Sequence, residues 1–177
     1  MDENKAFTCC FTGHRAEKLP WRFNERDENC ICLKEAIFRE ICRLYDEGYR
    51  CFICGMASGS DLYFAEAVLR LRSQQPEVRL EAAVPYPGQA ERWPINERKK
   101  YESILSRVNT KTILYKSYFR GCMADRNKYM VNRSSVLLAV YSGENGGTRQ
   151  TMLYAMRKGL RLIELAPPEN RTADNNN

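Results

Sequence analysis

The stretch VYSGENGGTRQTMLYAMRKG, residues 140–159, joins the end of an apolar run to an amphipathic segment. Apolar residues recur at helical spacing in its second half, so we predict a helix from about Thr148 to Lys158, with Gly159 as its stop. The connecting loop contains Gly143, Gly146 and Gly147. Because glycine costs conformational entropy on folding, this density indicates that the backbone approaches another group closely. The expected unit is therefore strand, glycine loop and helix.

The same unit recurs along the chain. We predict strands at Ala6–Gly13, Arg50–Gly55, Arg79–Pro85, Lys111–Tyr115, Ser135–Tyr141 and Leu160–Leu165. Amphipathic or polar helices fall between them, including one near Gln89–Val108. Apolar strands that alternate with helices are typical of a parallel sheet covered on both faces. The pattern predicts an α/β three-layer sandwich with a mainly parallel sheet of about six strands.

Composition bounds the class of protein. The 177 residues are 44% hydrophobic and 28% charged, which excludes a disordered chain. We expect one domain over residues 1–166 and a polar, disordered tail over residues 167–177. The net charge of +6 is compatible with an anionic ligand, but it is too modest to indicate a nucleic-acid tail.

Membrane and metal sites are not expected. The N-terminus lacks the apolar region of a signal peptide, and no window has the length of a membrane span, so we expect a cytoplasmic protein. The pairs Cys30–Cys32 and Cys51–Cys54 suggest a four-thiolate zinc site only at first sight. Strand positions three apart point to opposite faces of a sheet, so we predict core thiols and no metal.

Three glycine-bearing loops should meet at one edge of this sheet. Right-handed crossovers place every strand-to-helix loop at the carboxyl edge, where open α/β sheets bind ligands. A single such loop is explained by a tight turn, whereas three favour an anion site at helix N-termini. The candidate ligand-binding residues in these loops are Gly13, His14, Arg15, Gly55, Ser58, Gly59, Asp61, Gly143, Gly146, Gly147 and Thr148.

These motifs also carry a family resemblance. The segments FTGHR (11–15), GMASGSD (55–61) and CMADRNKYMVNRSSVLLAVYSGENGGTRQT (122–151) resemble the YpsA-like branch of the SLOG superfamily. That superfamily includes the Lonely Guy phosphoribohydrolases and DNA-processing protein A. The resemblance spans residues from about Phe7 to Leu165. It implies a Rossmann-like fold that binds a nucleotide or a nucleotide derivative.

One departure from the Lonely Guy pattern bears on catalysis. Those enzymes carry a loop of the form PGGxGTxxE, whose glutamate serves hydrolysis of an N-glycosidic bond. This sequence keeps an arginine, Arg126, and the pair Gly147 and Thr148, but Thr151 stands where the glutamate is expected. A threonine hydroxyl cannot replace a carboxylate as general base near neutral pH. Whether the protein is an enzyme is therefore left open by the sequence.

Two roles are open for the polar residues at the carboxyl edge. His14 is the only histidine, and it either contacts a ligand phosphate or orders its own turn. Arg15 either pairs with a phosphate or is a surface charge near Glu17. Arg126 is expected to reach the same edge and bind a phosphate, with a solvated helical charge as its alternative.

Asp61, in the first turn of its predicted helix, either complements the helix dipole or accepts a ribose hydroxyl. Asp61 and Arg126 are the candidate catalytic residues, and Asp125 and Glu144 are the carboxylates considered as partners of Asp61. Their spatial relation is not given by the sequence.

The hydroxyls of Ser58, Thr148 and Thr151 suit both helix caps and phosphate donors. Tyr86 and Trp93 either stack on a base or pack within the protein, and packing is the commoner fate of such aromatics.

Three functions remain in order of preference. The first is a module that binds a nucleotide-derived small molecule for sensing or regulation. The second is an N-glycosidic-bond hydrolase acting on nucleotides, with another carboxylate in place of the absent glutamate. Single-stranded DNA binding is last, because the charge is mild and no aromatic–basic interleaving stands out. We expect no membrane partner and no certain cofactor, and a homo-oligomer remains open.

Overall fold

A computed structural model describes residues 3–168 of the chain. The predicted tail, residues 167–177, lies outside the described residues from residue 169 onward. Six strands form one sheet in the order β4-β3-β2-β1-β5-β6, and every pair of neighbours is parallel. The strands are β1 Thr8–Gly13, β2 Cys51–Cys54, β3 Arg79–Val84, β4 Thr110–Ile113, β5 Val136–Val140 and β6 Arg161–Leu165. The predicted Rossmann-like α/β fold is confirmed.

Within residues 3–168, six helices connect or precede these strands. They are α1 Glu3–Ala6, α2 Glu28–Asp46, α3 Ser60–Arg72, α4 Ile95–Leu105, α5 Cys122–Asn132 and α6 Gly147–Arg157, and a 3-10 turn spans Ala16–Lys18. The chain moves outward from β1 to β4, crosses back to β5 beside β1, and ends on β6. The strand order therefore reverses between β1 and β5, which is where open α/β sheets form a ligand crevice.

The alternation of side chains along each strand produces the three layers. Cys9 and Phe11 of β1 face one core, which contains buried residues of α2, α3 and α4. Cys10, between them, faces a second core with Met130 of α5 and Met152 of α6. Because successive side chains of a strand point to opposite faces, one apolar strand serves both cores.

The largest departure from the predicted elements concerns α4. The sequence pattern predicts a helix from about Gln89 to Val108, but the helix spans Ile95–Leu105. Pro94 stands at its N-cap, and a proline disfavours helical geometry in the residue before it. Residues 85–93 form turns instead, and they direct the amide of Gln89 inward, where it donates to the Met56 carbonyl at 2.8 Å.

Two glycines at the carboxyl edge differ in what surrounds them. Gly59 has φ +83°, and a Cβ there would collide with the backbone nitrogen of Ala16 and the carbonyl carbon of Arg15. At Gly147, in the first turn of α6, a Cβ would meet nothing within 4 Å. The first glycine is therefore required by packing, whereas the second is not.

Gly59→Ala should lower the free energy of unfolding by about 2 kcal/mol or more, because the alanine adds a collision to an unfavourable φ. Gly147→Ala should change it by no more than about 0.5 kcal/mol. Urea unfolding followed by circular dichroism measures both. Equal losses in the two variants would contradict this account of Gly59.

Candidate functional site

A cavity of about 310 Å³ lies at the carboxyl ends of β1 and β5, at the strand reversal. Its walls come from the loops that follow these two strands and from the first turns of α3, α5 and α6. The predicted site residues that line it are Gly13, His14, Arg15, Asp61, Arg126, Gly146, Gly147 and Thr148. The reversal thus brings together side chains that are more than 100 residues apart in the chain.

His14 connects the loops around this cavity. Its Nε2 lies 3.0 Å from the Ser142 backbone nitrogen and 2.8 Å from the Ser142 hydroxyl. The Ser142 N–H can only donate, so Nε2 is the acceptor, and the proton of the neutral ring is on Nδ1. Burial lowers the pKa of His14, which favours this neutral form.

The carbonyl of His14 accepts from the start of α3. The Ser60 hydroxyl donates to it at 2.7 Å, and the Ser60 backbone N–H donates at 3.2 Å. A Cβ on Gly13 would collide with the Ser60 hydroxyl. Gly13 and Gly59 thus permit the loop after β1 to pack against α3, which is a packing reason for glycine at both positions.

Arg126 is 4% exposed although it carries a charge. Its Nη1 donates to the Gly55 carbonyl, and its Nε donates to the Asn127 side-chain oxygen at 2.8 Å. Among the described residues, its Nη2 has no hydrogen-bond partner. The guanidinium also occupies the space beside Gly55, where a Cβ would collide with it. Gly55 is therefore covered by arginine and does not line the cavity.

Asp61 is the buried carboxylate of the cavity, at 5% exposure. Its Oδ2 accepts from the Ala57 N–H at 3.2 Å. Burial raises the pKa of Asp61 to about 6, although the positive charges of Arg126 and Arg15 oppose the shift. Within residues 3–168, no ion pair joins Asp61 to Arg126, so each charge is compensated only at a distance.

The N-terminus of α6 forms another wall. Gly146 at the N-cap supplies no side-chain acceptor, and the first backbone N–H groups of a helix have no partner within it. Thr148 is buried and lines the cavity. This helix end therefore presents free donors and a partial positive charge toward the cavity.

Thr151 occupies the position at which the Lonely Guy pattern has glutamate. Its hydroxyl donates to the Gly147 carbonyl at 2.8 Å and accepts from the Asn127 side-chain nitrogen at 2.8 Å. This residue links α5 to α6 and does not line the cavity at the strand reversal. Its one hydroxyl proton is already used within the protein.

Several predicted residues lie outside the cavity lining. They are Gly55, Ser58, Gly59, Gly143 and Thr151. Of the carboxylates considered as partners of Asp61, Glu144 lines the cavity, whereas Asp125 accepts from the Tyr115 hydroxyl at 3.1 Å. Tyr86 packs edge-on against Tyr118, and Trp93 against Tyr101, so neither aromatic lines this cavity.

Other lining residues were not predicted, among them Lys18, Met123 and Asn145. Lys18 lies 3.7 Å from Glu144, and this exposed ion pair joins two loops of the cavity. The glycine pattern contained no signal for Lys18, since this residue lies beyond the motif and reaches the cavity through the 3-10 turn.

Parallel strands, helices on both faces and a cavity at the strand reversal define a Rossmann-like α/β domain. The family model YpsA, described as the YspA SLOG family, matches residues 9–161. The chain therefore belongs to the YpsA SLOG family.

Curated relatives agree with this assignment. A UPF0398 protein of Brevibacillus brevis is 27% identical over 139 residues, which are 77% of this chain and 73% of the relative. A UPF0398 protein of Halalkalibacterium halodurans is 28% identical over 149 residues, 83% of this chain and 78% of the relative.

Solved structures of DNA processing protein A share the fold. The Helicobacter pylori protein, described for its single-stranded DNA binding mode, superposes with a TM-score of 0.62 at 15% identity, covering 96% of this chain and 68% of the other. The Streptococcus pneumoniae protein gives 0.61 at 14% identity, covering 97% of this chain and about half, 54%, of the other. At these identities the likeness establishes the fold alone.

Within the part of the chain that the structure describes, no helix is both long and apolar enough to cross a bilayer.

The raised pKa of Asp61 predicts a pH-dependent stability. The folded state holds this proton up to about pH 6, whereas an unfolded chain loses it near pH 4. Stability should therefore fall as pH rises from 4 to 7, by about 2 kcal/mol relative to Asp61→Asn. Urea unfolding of both proteins across this range measures the difference. A difference that is independent of pH would show that Asp61 titrates normally.

Proposed function

We propose that the cavity at the strand reversal binds a nucleotide or nucleotide-derived ligand, and that the domain acts in sensing or regulation. The observation that carries the proposal is the burial of Arg126 beside the cavity, with one guanidinium nitrogen left without a partner among the described residues. A guanidinium that is 4% exposed, with an unpartnered Nη2, lines the same cavity as the N-terminus of α6. Because Nη2 is not among the buried atoms that lack a partner, it can donate into the cavity, where a phosphate oxygen would accept from it and from the helix amides.

The charges of the cavity suit a ligand that has hydroxyls as well as phosphate. Asp61 supports a ribose, because one carboxylate oxygen is held by the Ala57 amide while the other has no hydrogen-bond partner among the described residues. A carboxylate would repel a bare phosphate but accepts hydrogen bonds from sugar hydroxyls. The combination favours a nucleotide over an inorganic anion.

The hydrogen bonds of Thr151 favour a sensing or regulatory role over catalytic turnover. Its hydroxyl is engaged by Gly147 and Asn127 and supplies no carboxylate for hydrolysis. Membership of the YpsA SLOG family is consistent with a nucleotide-derived ligand.

Isothermal titration calorimetry with AMP, ADP, ADP-ribose and NAD tests the proposal. At least one should bind with a Kd well below 1 mM, and Gly147→Ala should weaken it about tenfold or more, because the added methyl group would stand in the cavity. Gly88→Ala is the matched control. Gly88 lies outside the cavity, and the atoms nearest to its added Cβ would be those of the Glu91 carboxylate, at the end of a flexible side chain.

Two results would count against this function. One is the absence of binding by every ligand of the panel at millimolar concentration. The other is an equal loss of affinity in Gly147→Ala and Gly88→Ala, which would place the bound ligand elsewhere.

An N-glycosidic-bond hydrolase is the second candidate, and one observation favours it. Burial raises the pKa of Asp61 to about 6, so this carboxyl can carry a proton near neutral pH, as a general acid requires. Asp61 would then take the role of the glutamate that the Lonely Guy enzymes have at the position of Thr151.

Release of free base from a nucleoside monophosphate, followed by chromatography, tests this candidate. If the protein is a hydrolase that uses Asp61, the release should fall at least a hundredfold in Asp61→Asn. Binding of the same nucleotide should be retained well enough to saturate the variant. Base release that is unchanged in Asp61→Asn would remove Asp61 from the mechanism.

A further inference from the structure

A second cavity adjoins the first one. A groove of about 550 Å³ runs between α5 and α6, and Met123, Asn127 and Gly147 line both it and the cavity at the strand reversal. Its other lining residues include Lys128, Leu153, Tyr154 and Arg157. The first turn of α6 is thus shared by the two spaces, with Asp61 on one side only.

The two spaces differ in charge. The cavity at the strand reversal is balanced, with three basic and three acidic side chains: Arg15, Lys18, Arg126, Glu17, Asp61 and Glu144. The groove is lined by Lys128 and Arg157 and by no carboxylate. Lys128 lies 3.6 Å from Asp125, whereas Arg157 has no ion-pair partner within residues 3–168. The groove therefore suits a group that carries negative charge or accepts hydrogen bonds.

The walls of the groove are largely apolar. The side chain of Leu153 is 41% exposed there, beside the half-buried Met123 and Tyr154. The Tyr154 hydroxyl donates to Asn132 at 3.0 Å, which fixes the ring against α5. An open space between packed helices, with apolar walls and a few polar groups, has the character of a small-molecule site.

We propose that this groove holds the second half of the same ligand, joined to the first half by a phosphate bridge at Gly147. This inference rests on the proposed function. The phosphate would lie at the first turn of α6, where Gly147 lines both spaces. A ribose beside Asp61 would be attached to one of its oxygens, and the base or nucleoside in the groove to the other side of the bridge.

The two adjoining spaces thus favour a ligand whose phosphate, or pair of phosphates, is linked to a nucleoside on each side. A mononucleotide with a terminal phosphate would fill only the cavity at the strand reversal. Two sources supply a bridge of this chemistry: a pyrophosphate-linked dinucleotide and a 3′,5′-phosphodiester-linked dinucleotide. Both keep negative charge at the helix amides and place a planar base against Leu153 and Tyr154.

Calorimetric titrations with AMP, NAD and the 3′,5′-linked dinucleoside monophosphate ApA test the inference and separate the two sources. The wild-type protein should bind NAD or ApA at least tenfold more tightly than AMP. Arg157→Glu and Leu153→Asp should each weaken the preferred dinucleotide at least fivefold and change the affinity for AMP less than twofold. Lys99→Glu is the control, an equal change of charge at an exposed position of α4 that lines neither space.

The outcomes separate this inference from the function on which it rests. If AMP binds but neither dinucleotide binds more tightly, or if the groove variants weaken all ligands equally, the second half-site is refuted and the proposed function stands. If AMP, ADP, ADP-ribose, NAD and ApA all fail to bind, the proposed function fails and this inference with it. Sedimentation of the same variants completes the test, since a changed mass with an unchanged ligand preference would make the groove a subunit interface. Arg157 is exposed, so its variant carries the test if Leu153→Asp does not fold.

Discussion

The hydrogen bonds of His14 hold the carboxyl edge of the sheet in one arrangement. Its ring accepts from Ser142, which follows β5, and its carbonyl accepts twice from Ser60 at the start of α3. One residue after β1 therefore fixes the positions of two loops that come from opposite sides of the strand reversal. Because the ring must accept at Nε2, it has to remain neutral, and burial favours that form. The cavity exists in its observed shape because these loops cannot move apart independently.

The burial of Asp61 and Arg126 shows that this arrangement costs stability. Both are almost fully buried, yet no ion pair joins them within the described residues, so neither charge receives the full compensation of a close partner. Arg126 recovers part of its solvation by donating to Gly55 and Asn127. A domain selected only for stability would gain by replacing such groups with apolar ones. Both groups lie beside the cavity, where the proposed ligand would complete their set of contacts.

The fold was largely predictable because it depends on periodicity. The six strands were visible in the sequence, three of them ending in or followed by glycine, and the parallel order followed from the alternation with helices. The start of α4 was predicted wrongly because the polar segment before Pro94 resembles a helix in composition, while the proline restricts the backbone.

The exposed segment 116–120, with Lys116, Tyr118, Phe119 and Arg120, was also overlooked, although it interleaves aromatic and basic residues.

The site was less predictable than the fold, because a glycine in a loop has two explanations that the sequence does not separate. Gly13, Gly55 and Gly59 are each needed to avoid a collision inside the protein, with Ser60, Arg126 and Ala16 respectively. Gly147 has free space beside it and lines the cavity. Whether a glycine serves packing or a ligand depends on its neighbours in space, and those come from distant segments.

The distinction between a binding module and an enzyme depends on one carboxylate. The Thr151 hydroxyl donates its proton to the Gly147 carbonyl. The side chain of Glu144 is 60% exposed beside Lys18, where water stabilises its charge. Asp61 is the acidic group of this cavity whose surroundings perturb its pKa strongly. Such a perturbation serves either purpose, since a buried carboxylate can protonate a leaving group or accept two hydroxyls from a sugar. In both proposals the ligand would lie beside Asp61, and the two differ in whether the proton of Asp61 is transferred. A fold shared with DNA processing protein A does not decide between them, because function resides in the site and not in the fold.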